Sequence, residues 1–137
     1  MHIFDKVIVA VTRNVEKETP LFSEKERMDM ITESITTLGN VEVDSFEGLM
    51  VDHAVKHGAV AAIRGLRALS DFEFEFKMAL MNRSLNEDIS TVFLMPHAKY
   101  THVSSSMVRE VASLGGSVSE YVPYHVNQAL KEKYSRE

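Results

Sequence analysis

The stretch AVAAIRGLRALSDFEFEFKMALMNR, residues 59–83, decides how the rest of the chain is interpreted. Its first five residues are apolar and predict a buried strand, whereas its second half carries apolar residues at helical spacing. Between them, Arg64 and Arg67 enclose Gly65 and Leu66. Ligands bind at the carboxyl ends of strands in open α/β sheets, and arginine suits phosphate oxygens. The pair therefore indicates an anion site; the alternative is a surface loop with two solvated charges.

The helix of this stretch is predicted to begin at Ser70, because Ser70 and Glu73 have the spacing of a capping box. Phe and Glu alternate over residues 72–76, as in a strand, but the apolar spacing that follows favours a helix. Glu75 then lies on the first turns of this helix but outside the predicted cap. It is either solvated or available to a ligand.

Strands and helices alternate on both sides of this stretch, which predicts an α/β fold with a parallel sheet. The first predicted strand, residues 6–12, is a continuous β-branched run typical of a strand buried on both faces. After Met50, a helix is predicted to turn Val51, Ala54 and Val55 inward. The remaining predicted elements are a helix from residue 23 to residue 38, strands at residues 41–45, 59–63 and 90–95, a helix after residue 104 closed by the glycines at 115 and 116, and a helix at residues 124–134.

Three serines, Ser104, Ser105 and Ser106, follow the last predicted strand and precede a helix. Hydroxyls and backbone N–H groups at a helix N-terminus form an anion site, although one serine could serve as a simple cap. Lys17 follows the first predicted strand, as Arg64 and Arg67 follow the third. Because parallel strands end at one edge of a sheet, these polar groups are predicted to converge on a phosphate.

Composition excludes several classes of protein. A chain of 137 residues predicts one domain, and a net charge of -5 argues against nucleic-acid binding. The absence of cysteine excludes disulfides and thiolate metal sites and suits the cytoplasm. No apolar run reaches the roughly 18 residues of a membrane span. His53 and His57 stand four residues apart but are predicted to be surface histidines, so no metal ligand is assigned.

Four segments together resemble the bacterial phosphopantetheine adenylyltransferases of the nucleotidylyltransferase superfamily. They are IRGLRALSDFEFE (63–75), MNR (81–83), FLMP (93–96) and SSSMVREVASLGGSVSEYVP (104–123). PLFSEKER (20–27) matches as well, so the resemblance covers essentially the whole chain. It implies a Rossmann-like parallel sheet with flanking helices, and adenylyl transfer from ATP to 4'-phosphopantetheine with Mg²⁺. The products are dephospho-coenzyme A and pyrophosphate, in coenzyme A biosynthesis. A homohexamer that also binds coenzyme A is implied too.

The resemblance carries over two sets of binding residues by motif. The pantetheine-phosphate contacts are Lys17, Met50 and Arg64. The ATP contacts are Gly65, Leu66, Arg67, Glu75, Tyr100, Thr101, His102, Val103, Ser104, Ser105 and Ser106.

One part of the family pattern does not occur in these 137 residues. The family begins with a strand, a Gly-x-Phe-Asp-Pro loop and a Thr/His-x-Gly-His motif whose last histidine supports the leaving group. We therefore expect a single domain, residues 1–137, truncated at its N-terminus and lacking strand 1, the central strand of the order 3-2-1-4-5. Residues 6–12 and 59–63 then pair directly, or the chain is partly disordered, or the sequence is a truncated part of a longer protein, which is the alternative we favour. The catalytic residue is unknown.

Three functions stay open at this point. The chain is a truncated adenylyltransferase, a non-catalytic remnant that binds nucleotide or coenzyme A, or another nucleotidylyltransferase, such as one that acts on nicotinate mononucleotide. The Arg-Gly-Leu-Arg block argues against the third.

Overall fold

The computed structural model describes residues 3–13 and 20–135, with the backbone alone for residues 69 and 70. Lys17 lies outside the described residues. In chain order the elements are β1 (Val7–Thr12), α1 (Glu24–Ser34), β2 (Val41–Phe46), α2 (Met50–Lys56), β3 (Ala61–Gly65), α3 (Leu69–Leu85), β4 (Ser90–Leu94), a 3-10 helix (Ala98–Tyr100), α4 (Ser105–Ser113) and α5 (Tyr124–Tyr134).

The described strands form two parallel pairs, in which β1 pairs with β2 and β3 pairs with β4. These are the pairings that the order 3-2-1-4-5 gives when its strand 1 is left out. Parallel strands joined through helices confirm the predicted α/β class. The contacts divide the chain into two compact units, Met1–Gly48 and Leu49–Glu137, and the single domain stays a prediction.

The first unit starts its helix where the sequence predicts. Ser23 Oγ accepts a hydrogen bond from the Glu26 amide at 3.2 Å, and the Ser23 amide donates to Glu26 Oε2 at 2.6 Å. This capping box begins α1, but the helix ends at Ser34 and leaves Leu38 exposed beyond it. The predicted burial of the first strand on both faces is wrong. Only Val11 of β1 is buried, because full burial needs strands and helices around a strand and β1 has one paired strand.

The second unit begins with a short helix, α2, whose inward face is narrower than predicted. Val51 and Ala54 are buried, but Val55 is 51 % exposed, so its predicted inward position is wrong. With seven residues the helix has barely two turns, and only its i, i+3 positions are covered. The next strand, β3, begins two residues later than predicted, so Arg64 and Gly65 belong to the strand rather than to the loop after it.

Helix α3 starts without the predicted capping box. Its N-cap is Ala68, which makes no side-chain cap, and Glu73 instead accepts a hydrogen bond from Lys77 Nζ at 2.7 Å. The helix begins at Leu69, so Ser70 lies inside it and cannot be the N-cap, and the carboxylate of Asp71 accepts a hydrogen bond from the Arg67 amide at this end. Apolar side chains of α3 are exposed, among them Phe74 and Met81.

The buried core of the second unit lies elsewhere, in α2, just before β4, in the turn before α5 and in α5 itself. Besides the two α2 residues, it contains Ile89, Val118 and Leu130. Helix α5 spans the predicted residues. No helix among the described residues is both long enough and apolar enough to span a bilayer.

Helix α4 ends at the predicted glycines. Gly115 has φ +78°, its amide donates to the Ala112 carbonyl at 3.1 Å, and the Gly116 amide donates to the Val111 carbonyl at 2.9 Å. This is a Schellman motif, in which a left-handed residue satisfies the last carbonyls of a helix.

We expect Gly115→Ala to lower the free energy of unfolding by about 1 kcal/mol, because a Cβ is strained in the left-handed region. Urea unfolding followed by tyrosine fluorescence measures it, since all four tyrosines lie in the second unit. Gly65→Ala is the control, because its φ is not left-handed and an added Cβ meets open space. Equal losses in the two variants would contradict the prediction.

Candidate nucleotide and phosphate site

The loops that follow β3 and β4 leave the same edge of their sheet. Gly65 pairs with Leu94 at the carboxyl ends of the two strands, and the Leu66 amide donates to the Leu94 carbonyl at 3.0 Å. This is the arrangement that the sequence predicts for the arginines and the serines. The polar residues of the two loops are therefore built on one pair of parallel strands.

Arg64 forms a two-pronged ion pair with Glu75. Arg64 Nε donates to Glu75 Oε2 at 2.8 Å and Nη2 donates to Oε1 at 2.6 Å. The hydrogen bonds that Arg64 donates to Glu75 raise the pKa of the Arg64 guanidinium above its ordinary value. The Glu75 side chain is 12 % exposed and that of Arg64 53 %, so the acid is shielded while the base still reaches solvent. The solvated alternative for Glu75 is therefore wrong.

Arg67 is held by a carboxylate that the sequence analysis did not select. Asp71 Oδ2 accepts from the Arg67 amide at 3.3 Å and from Arg67 Nε at 3.1 Å, while Oδ1 accepts from Nη2 at 3.4 Å. Arg67 Nη1 donates to the Val103 carbonyl at 2.7 Å. The i, i+4 spacing of opposite charges could have identified Asp71. Arg67 thus joins the β3 loop to the β4 loop.

The loop before α4 is also held by its own hydrogen bonds. His97 Nδ1 accepts from the Lys99 amide at 3.2 Å, and Thr101 Oγ1 donates to the Ala98 carbonyl at 2.8 Å. The Val103 amide donates to the Tyr100 carbonyl at 3.1 Å. These bonds hold the 3-10 helix and the turn that follows it, so the predicted ATP contacts at residues 100–103 lie on a loop with a defined shape.

One aromatic contact fixes the outer side of this loop. The exposed His102 ring meets the Tyr121 ring edge to face, with centroids 5.6 Å apart and planes at 87°. Tyr121 belongs to the turn between α4 and α5. The loop is therefore attached to a second part of the unit, besides its bond to Arg67.

The three serines divide between capping and exposure. Ser104 is the N-cap of α4, and its Oγ accepts from the Met107 amide at 3.1 Å. Ser105 and Ser106 are the first two helical residues, and both are exposed. One serine therefore caps the helix, and the other two leave their hydroxyls at its positive end.

Two further predicted contacts, Met50 and Leu66, are described by their position and burial. Met50 is half-buried at the first position of α2, and no hydrogen bond or ring contact of the described residues joins it to Arg64 or Arg67. Leu66 is half-buried between the two arginines. The structure thus joins the arginines, the two acids and the β4 loop through hydrogen bonds, and a role for Met50 stays a prediction.

The arrangement can bind an anion and orient it. Each guanidinium is balanced by one carboxylate, and each uses only part of its five N–H groups on the partners described above. Guanidinium groups fixed before a ligand arrives can stabilise charge that develops on a phosphoryl group.

A double-mutant cycle of Arg64→Gln and Glu75→Gln should give a coupling energy of about 1 kcal/mol, because a two-pronged pair with a shielded acid exceeds an ordinary surface pair. Urea unfolding measures it. The exposed pair between Lys77 and Glu73 on the same helix is the control, with about 0.3–0.5 kcal/mol expected. A coupling no larger than that of the control would contradict the prediction.

Asp71 should titrate below an ordinary aspartate, since the hydrogen bond from the Arg67 side chain lowers its pKa. A lowered pKa in the folded state means that the contact stabilises the fold above pH about 4 and is lost as pH falls through the folded value. Carboxyl ¹³C NMR of Asp71 gives the folded midpoint, and the same titration in urea gives the unfolded one. A folded midpoint equal to or above the unfolded midpoint would overturn this expectation.

Comparison with known proteins identifies the family. Residues 1–111 match the cytidylyltransferase-like family model. The chain is 52 % identical over 132 residues to the phosphopantetheine adenylyltransferase of Desulfosudis oleivorans, covering 96 % of this chain and 78 % of the relative. It is 53 % identical over 132 residues to that of Heliobacterium modesticaldum, with the same coverage, and 50 % identical over 135 residues to that of Caldanaerobacter subterraneus, covering 98 % and 84 %. The chain belongs to the cytidylyltransferase-like family and, within it, to the phosphopantetheine adenylyltransferases.

Proposed function

We propose that the protein transfers the adenylyl group of ATP to 4'-phosphopantetheine, giving dephospho-coenzyme A and pyrophosphate in coenzyme A biosynthesis. The observation that carries this proposal is the meeting of the β3 and β4 loops at one sheet edge, where Arg67 binds the Val103 carbonyl at 2.7 Å. That contact places the Arg-Gly-Leu-Arg segment beside the segment that leads into the serines. Both segments belong to the motif by which the chain resembles its family.

The residues are assigned roles as proposals. Lys17, Met50 and Arg64 bind phosphopantetheine. Gly65, Leu66, Arg67 and Glu75, together with Tyr100, Thr101, His102, Val103, Ser104, Ser105 and Ser106, form the ATP site. Glu75 acts there through Arg64, whose guanidinium it orients at 2.6 and 2.8 Å.

The reaction needs no nucleophile from the protein. A phosphate oxygen of phosphopantetheine attacks the α-phosphorus of ATP, a new P–O bond forms, and the bond to pyrophosphate breaks on the opposite side. Positioning and charge stabilisation are what such an in-line transfer requires. The N-terminus of α4 and the two guanidinium groups supply hydrogen-bond donors for the positioning and for the charge stabilisation.

Open space at Gly65 supports approach of a ligand to the backbone. An added Cβ there would meet no atom of the described residues within 4 Å, so their packing does not require a glycine. A residue without a side chain lets a nucleotide lie against the end of β3.

Mg²⁺ enters this proposal as part of the ATP complex. Asp71 and Glu75, the acids of the described site, both accept hydrogen bonds from guanidinium groups and so do not fit a dedicated metal site. Magnesium prefers substrate phosphates and water. No protein ligand is assigned to it.

A non-catalytic protein that binds nucleotide or coenzyme A is the second candidate. The observation in its favour is that the guanidinium groups of Arg64 and Arg67 and the serines at the start of α4 are groups that bind an anion, which binding alone would use. On family resemblance, we also propose that the protein forms a single domain, is cytoplasmic and assembles as a homohexamer.

Calorimetry with ATP and a coupled assay of ATP formation from dephospho-coenzyme A and pyrophosphate separate the two candidates. We expect the protein to bind ATP and to form ATP in the coupled assay, because the two arginines provide fixed donors for charge that develops on the phosphoryl group. Binding without any turnover would favour the non-catalytic candidate, and absence of binding would contradict both.

Gly65→Val tests the site itself. We expect at least about tenfold weaker ATP binding, equivalent to roughly 1.4 kcal/mol, because the new side chain fills the space proposed for the nucleotide. The free energy of unfolding should not fall, since valine suits a strand and the position is open. Unchanged ATP affinity in a folded variant would place the nucleotide elsewhere.

A further inference from the structure

We infer that Asp71 is a positioning residue, which acts through Arg67 to hold the loop before α4 in the shape that receives ATP. This inference rests on the function proposed above and adds a residue that the family motif did not assign a contact. It concerns one chain of bonds, from the carboxylate of Asp71 through the guanidinium of Arg67 to the carbonyl of Val103, which we call the clamp.

The first part of the clamp fixes Arg67 at both ends of the residue. Asp71 accepts from the Arg67 amide at 3.3 Å and from two nitrogens of its guanidinium, at 3.1 and 3.4 Å. The main chain and the tip of the side chain are thus tied to the same carboxylate, in the first turn of α3. An arginine held in this way loses little further freedom when it binds a second group.

The second part of the clamp fixes the peptide that leads into α4. Arg67 Nη1 donates to the Val103 carbonyl at 2.7 Å, and Val103 directly precedes Ser104, the N-cap of α4. The peptide plane between these two residues is therefore oriented by a charged donor. On its other side Val103 donates its amide to the Tyr100 carbonyl at 3.1 Å, so both polar groups of its backbone are used.

The contacts of Arg67 argue against a role as a phosphate ligand only. Three of its side-chain hydrogen bonds go to Asp71 and Val103, and these leave one N–H on each terminal nitrogen for a ligand. A pure phosphate ligand would gain from removal of the Asp71 charge, because that charge repels ATP and competes for the guanidinium. If Arg67 acts through the clamp, the same change would free the Arg67 side chain from its carboxylate and weaken ATP binding. The two roles therefore predict opposite changes in ATP affinity for one substitution.

The test compares Asp71→Asn with Glu73→Gln. Each substitution removes one negative charge from the first turns of α3, but Glu73 pairs with the exposed Lys77 and lies outside the clamp. Hydrogen–deuterium exchange of the residue 98–104 amides and calorimetry with MgATP are the two measurements. Asp71→Glu, which keeps the charge, should restore part of both signals.

We expect Asp71→Asn to speed exchange of the Val103 amide by about tenfold and to weaken ATP binding by about tenfold, as expected when a charge-assisted hydrogen bond is lost. Glu73→Gln should change both by less than about twofold. Unchanged exchange, or tighter ATP binding by Asp71→Asn, would overturn the clamp. If the parent chain binds no ATP, the proposed function fails, while the exchange comparison still decides whether Asp71 holds the loop.

Discussion

The register of β3 against β4 is the constraint on which the candidate site depends. It sets Arg64 opposite Phe93 and Gly65 opposite Leu94, and it brings the two following loops to one edge. Side chains alternate between the faces of a strand, so a shift of one residue would turn Arg64 to the opposite face. The ion pair with Glu75 would then be lost. A few backbone hydrogen bonds therefore decide where the positive charges of the site lie.

The ion pairs follow from that register and prepare the site for a charged ligand. Arg64 and Arg67 are each oriented by a carboxylate of α3, and each keeps donors for a further acceptor. Groups that are oriented in advance need little reorganisation when charge develops on a phosphoryl group. The balance of charges also keeps two guanidinium groups close together in sequence without strong mutual repulsion.

Local signals in the sequence predicted the parts of the fold that depend on local chemistry. The Ser23 capping box, the glycines that end α4 and the limits of α5 are set by neighbouring residues, and the structure confirms them. The start of β3 could not be predicted, because an apolar run does not show which of its residues pair with another strand. The burial of β1 depended on neighbours that its own sequence does not specify. The predicted cap of α3 is wrong because the helix begins at Leu69, which leaves Ser70 inside it, and spacing alone does not fix the first residue of a helix.

The contacts between the site residues explain why many residues of the family motif lie within one segment, residues 64–75. The pair Arg67–Asp71 is enclosed in sequence by the pair Arg64–Glu75, so the two ion pairs are nested around the turn from β3 into α3. The inner pair spans four residues and carries a periodic signal, whereas the outer pair spans eleven and carries none. Sequence reasoning could therefore have identified Asp71 as the partner of Arg67, and it selected Glu75, but it could not pair Glu75 with Arg64. Both ion pairs close over the same turn, so the block is one geometric unit rather than four separate contacts.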